Sequence, residues 1–90
     1  MFQLNEHTKD ILGRPNFACA QIAKILRDSG EDINHRSEDE QAHTIYYLLK
    51  MYEKHKENWL SETNKELKKM HDQNMANELI KQSVKKQAVD

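Results

Sequence analysis

The side chains able to do chemistry in this 90-residue chain are five histidines, one cysteine and a run of acids between Glu31 and Glu40. Metal ligands carried on a helix share a face when they lie three or four residues apart. No two of His7, His35, His43, His55 and His71 have that spacing. Glu40 and His43 form one Glu-x-x-His element. A di-iron bundle draws on two such elements plus two inward glutamates, so a metal here would need a homodimer to double the set. Glu40 reads better as a helix-cap acid and His43 as a rim or surface residue, and no metal ligand or cofactor is expected. Cys19 sits in an apolar helical stretch with no basic neighbour in sequence to lower its pKa, which is the pattern of a buried structural thiol in a reducing compartment. With glycine only at positions 13 and 30 there is no phosphate-cradling loop, and no serine has an evident general base beside it. The expectation is a chain with no catalytic residues, hence not an enzyme.

Binding is the remaining class. Residues 19–26, CAQIAKIL, superficially resemble the first helix of a helix-turn-helix. The helix that follows would then enter the major groove with Ser37, Glu38, Asp39, Glu40 and Gln41, and its three carboxylates would meet phosphate. Arg36 and Gln41 do not offset that repulsion. Lys65, Lys68, Lys69, Lys81, Lys85 and Lys86 form a second basic candidate, but glutamates interleave with several of them, as on a solvated helix face. A dimeric DNA-binding regulator is therefore the alternative reading. The first reading takes Glu31, Asp32, Glu38, Asp39 and Glu40 as a surface for another protein with a basic groove, since Arg36 alone opposes that charge.

The elements that must carry these residues are helical throughout; no strand alternation is long enough for a sheet. A short helix over 5–12 stops at Gly13, with Ile11 and Leu12 turned inward. Asn16 can cap a second helix over 17–29, ended by Gly30, with Ala18, Ile22, Ile25, Leu26 and Ser29 on its core face and Phe17 and Cys19 flanking. Ile33 is the plug of a polar connector. Ser37 and Glu40 fit a capping box that opens a third helix, whose stripe is Ala42, Ile45, Tyr46, Leu49 and Tyr52, widened by Tyr47 and Leu48. A bend is expected near Asn58, before a long final helix carrying Trp59, Leu60, Leu67, Met70, Met75, Leu79, Ile80 and Val84. The Leu60-to-Leu67 heptad step reaches Asn74 and then fails. The organisation expected is one all-α domain: a small helical hairpin or three-to-four-helix unit at 5–54, an extended C-terminal helix at 55–85, and a frayed tail at 86–90.

Formal charge of -1, 32% charged residues and 37% apolar ones give no bulk attraction to nucleic acid or anionic lipid, yet the apolar residues are patterned as in a folded chain. No apolar run approaches the length of a membrane span, and the N-terminus lacks the layout of a signal peptide, so a cytoplasmic protein is expected. A core this small gains from association. Tyr and Trp are interface anchors, and Tyr52, Trp59, Leu60, Leu67 and Met70 are taken as the self-association surface of a homodimer. The function expected is that of a small interaction protein, of adaptor or inhibitor type, with compactness alone suggesting a mobile genetic element as its source.

Overall fold

The computed structural model describes the backbone of residues 3–89 and the side chains of residues 3–78. The chain is all-α: α1 (Glu6–Leu12), α2 (Asn16–Asp28), α3 (Ser37–His55), a single 3-10 turn (Lys56–Asn58) and α4 (Trp59–Val89).

Each start and stop has a local cause. Asn5 opens α1 because its side-chain oxygen accepts the N–H groups of His7 and Thr8, at 2.9 and 3.0 Å, while Thr8 Oγ1 accepts the Asn5 N–H at 2.8 Å. This reciprocal pair satisfies donors that a helix start leaves open. The α2 start uses backbone alone: the Pro15 carbonyl accepts from Ala18 and Cys19, and the cap that Asn16 was expected to provide is not made, because Asn16 is already inside the helix. Beyond α2 the backbone turns at Gly30 with φ of 110°, where a Cβ would meet nothing within 4 Å, so the demand for glycine is conformational.

The capping box expected at Ser37 is also absent. Arg36 is the capping residue, its carbonyl already accepts the Glu40 N–H at 2.9 Å, and the Glu40 carboxylate turns away to Arg27 of α2. At the far end of α3, Lys56 adopts a left-handed φ of 54° and the chain reverses completely. Tyr47 donates to Glu66 Oε1 at 2.9 Å, which sets α4 antiparallel to α3. The expected bend near Asn58 is thus a helical hairpin, and the final helix packs on the helices before it.

The core is built where α3 meets the other three helices: Ile11, Ala23, Leu26, Ile33, Tyr47, Leu48, Met51 and Trp59. Ile33 is the plug its position implied, 3% exposed. Two faces are rotated from the expected ones. In α2 the buried residues are Cys19, Ala23 and Leu26, with Ala18, Ile22 and Ile25 at the margin and Ser29 exposed. In α3 they are Thr44, Tyr47, Leu48 and Met51, while Ala42 and Tyr46 are exposed. The small Thr44 explains both rotations, for it seats α3 close against α2 and donates to the Cys19 carbonyl at 3.0 Å. Leu12, expected inward, is half exposed, because the buried face of α1 is formed by Thr8 and Ile11.

Asn74 is the last described α4 side chain bonded to the body, reaching the Ile25 carbonyl at 3.4 Å and Ser29 Oγ at 3.2 Å beside the end of α2. The helical backbone continues to Val89, about 22 Å farther at the α-helical rise. The chain measures 58 × 27 × 19 Å in consequence. The side chains of Leu79, Ile80, Lys81, Val84, Lys85 and Lys86 lie outside the described residues, as does Asp90.

Candidate functional site

Three places collect polar or aromatic groups. At the base, Trp59 is 2% exposed and donates its indole N–H to His7 Nδ1 at 3.1 Å. His7 stacks on Tyr52 with ring centroids 5.8 Å apart, and Asn5 Nδ2 donates to the Tyr52 hydroxyl at 3.0 Å. As an acceptor at Nδ1, the imidazole is the tautomer with its hydrogen on Nε2. The group ties α1, α3 and α4 together through the Trp59–His7 and Asn5–Tyr52 hydrogen bonds.

Trp59, taken from the sequence as a self-association residue, fills the chain's own core. Leu67 and Met70 are packed against that core as partly buried residues, and Tyr52 is half-buried under His7. Of the five residues assigned to that surface, Leu60 is the one that stands exposed.

The acids fall into two groups. Glu40 is taken by Arg27, and Glu38 by Arg36. Glu31 and Asp32 are exposed on the connector, and Asp39 is half-buried in the first turn of α3. The five are thus not one equivalent patch, because α3 turns Glu40 inward.

The third place is the outer side of α3. Tyr46, Leu49, Lys50, Glu53 and Lys54 line an open groove of about 560 Å³. Tyr46 is 62% exposed, with Lys50 Nζ held 4.5 Å from its ring centroid. The stripe that carries Tyr46 was expected to face α2, with the tyrosines of α3 equally open to an interface role, and the structure turns Tyr46 outward.

Burial pushes the Cys19 thiol above its ordinary pKa, against a smaller lowering by the Arg14 charge, and its Sγ–H points to the Arg14 carbonyl at 3.8 Å. That is a protonated, structural thiol. Among the described residues no three His, Cys, Asp or Glu side chains converge as a metal site would need. No helix among them is long and apolar enough to cross a membrane.

The fold defines a small all-α protein. Compared with known proteins, the chain matches no family model, no curated protein and no solved structure.

Proposed function

We propose that this chain is a small non-enzymatic interaction protein of adaptor or inhibitor type, in which a four-helix body presents α4 to another protein. The observation that carries the reading is the length of α4: 31 residues, of which the part after Asn74 runs past the end of α2. A helical stretch of about 15 residues is marginal by itself in water, and a partner surface would give it packing. Met75, 53% exposed just beyond Asn74, begins the face that the partner would cover. Several polar side chains are engaged within the body: Thr44 on Cys19, Tyr47 on Glu66, Trp59 on His7, Arg27 on Glu40. Exposed Glu31 and Asp32 would speed encounter with a basic partner.

The test is capture from nuclease-treated source-cell lysate by the full chain, by a chain ending at Glu78, and by the Glu31→Lys/Asp32→Lys variant. The expected result is one protein species held by the full chain, lost on truncation and weakened by charge reversal, with the truncated body melting as before. Equal capture by the truncated chain overturns the role of the arm. Material that disappears with nuclease moves the assignment to a DNA-binding regulator.

A further inference from the structure

The reversal between α3 and α4 is made where the sequence carries no breaker: residues 37–89 contain neither Gly nor Pro. Lys56 makes the corner at φ 54° and ψ -123°, and among the described residues it is the one non-glycine residue at positive φ. A Cβ is unfavourable in that region, where glycine is the residue of choice. The buried stripe, meanwhile, runs through the corner without a break in helical phase. Leu48, Met51, His55, Trp59, Thr63 and Leu67 follow one another at steps of three or four, and each is buried or half-buried. A sequence patterned as one helix is thus held as two by a strained residue in an exposed turn, Lys56–Asn58.

We propose that this chain exchanges α4 between two copies: Lys56 enters the helix, α3 and α4 join into one helix over 37–89, and α4 of each copy packs on the body of the other. The closed form itself names the occupant, because the surface that receives the second copy's α4 is the one α4 fills within a single chain. The bonds that seat it carry over as bonds between copies: Tyr47 to Glu66, Trp59 to His7 and Asn74 to Ile25. Tyr47 and Glu66 stand 19 positions apart in sequence, about 28 Å along a continuous helix, so within one copy they no longer meet. Two such helices laid antiparallel about a two-fold axis bring each Tyr47 to Glu66 of the second copy. In that register Lys56 falls opposite Glu57 of the second copy, so the joined hinge sets opposite charges together. Exchange relieves the Lys56 backbone and keeps the buried contacts, and concentration offsets the freedom lost when two copies become one particle. The swap uses no contact beyond Asn74, so it stands or falls separately from what the arm captures.

The experiment refolds the full chain from denaturant at micromolar and at millimolar concentration and measures mass by light scattering after gel filtration. The dilute sample should give 10.7 kDa and the concentrated one a fraction at twice that mass, with the same helical circular dichroism. Spin labels on cysteines introduced at exposed Tyr46 and Lys68, in a Cys19→Ala background and diluted with unlabelled chain, report the distance within one copy. Those positions flank the Tyr47–Glu66 bond and are close in the monomer, whereas the swapped dimer should separate them to about 33 Å. Lys56→Gly accepts the positive φ and disfavours the joined helix, and since both hinges of a dimer respond, it should raise the dissociation constant by about a hundredfold or more. Lys56→Ala keeps a Cβ and removes the ammonium that lies 5.9 Å from the Tyr52 ring centroid, and it should dimerise like wild type. A chain that stays at 10.7 kDa after millimolar refolding overturns the proposal, as does a dimer whose labels keep the monomer distance. Dimerisation that ignores Lys56→Gly, or that falls equally with Lys56→Ala, removes the strained hinge as its cause and overturns it too.

Discussion

Arg27 and Glu40 meet at 2.9 Å across the α2–α3 hairpin, with side chains 19% and 20% exposed. The same guanidinium donates through Nε to the Ile33 carbonyl at 2.9 Å and through an Nη to the Asn34 carbonyl at 3.3 Å. One side chain therefore fixes the start of α3, the end of α2 and the connector that inserts Ile33 into the core.

Arg27→Met keeps the aliphatic stem and removes the fork, leaving Glu40 half-buried without its cation. The expected cost is about 2–3 kcal/mol, from charged hydrogen bonds that carry more than neutral ones. In a domain of this size that lowers Tm by roughly 10–20 °C. Arg27→Lys should recover only a minor part, since an ammonium cannot span two carbonyls and a carboxylate in one plane. Thermal melts by circular dichroism decide it; a Met variant melting within a few degrees of wild type would remove Arg27 from this role.

Trp59 sets a second scale. It fills the core between α1, α3 and α4 and also ends on His7. Trp59→Ala should cost about 3–5 kcal/mol through the cavity it opens, enough to unfold much of a small domain. Trp59→Phe should cost less, since a ring remains, although His7 Nδ1 loses its donor. Denaturant titrations read by circular dichroism measure both. The wild-type indole should fluoresce as a buried one and shift to the red on unfolding.

Much of the fold is legible in the sequence because breakers and periodicity are local. Gly13, Pro15 and Gly30 separate α1, α2 and α3, and the lone apolar Ile33 in a polar connector reads as a plug. What is not legible depends on partners distant in sequence. Ser37 and Glu40 match a capping box, but whether Glu40 bonds backward or turns to Arg27 is decided by the α2–α3 hairpin. Tyr46 and Tyr47 are adjacent and chemically alike, and only the close seat of Thr44 on α2 decides that Tyr47 goes inward and Tyr46 outward. Trp59 reads equally as an interface anchor and as core, and the reversal at Lys56 makes it core. Asn5 and Thr8 form the observed cap through an Asn-x-x-Thr pattern that carries a weaker signal than Ser-x-x-Glu.

Tyr47 gives the chain an alkaline limit. Burial, and then the hydrogen bond it donates to Glu66, raise the phenol pKa well above its ordinary value near 10. A folded-state pKa above the unfolded one contributes stability that is complete below pH of about 10 and declines as pH rises past it, because the unfolded chain loses the proton first. The limiting slope is about 1.4 kcal/mol per pH unit for one proton. Lys24, raised by its hydrogen bond to Asp28, acts in the same direction at the exposed surface. Tyr47→Phe isolates the phenol: it should cost about 1 kcal/mol at pH 8 for the lost hydrogen bond, and the deficit should vanish and then reverse above pH of about 10. Denaturant melts between pH 8 and 11 on both proteins follow that crossing, and parallel curves would exclude Tyr47 as its source.

Thr63 faces the core from α4 at 2% exposure, and its Oγ1 has no hydrogen-bond partner among the described residues. A buried hydroxyl that has given up water without gaining a partner costs about 1–3 kcal/mol. Valine has nearly the same shape, adds no strain at a β-branched site and carries no polar atom to desolvate. Thr63→Val should therefore raise stability by about 1 kcal/mol, whereas Thr63→Ala should lower it by opening space beside Trp59's helical turn. The two substitutions remove the same hydroxyl and differ in the methyl group they leave, so opposite signs in one set of denaturant melts would separate the polar penalty from the packing. If valine also destabilises, the hydroxyl is bonded in solution, and the α4 seat on the core is tighter than its hydrogen bonds alone require.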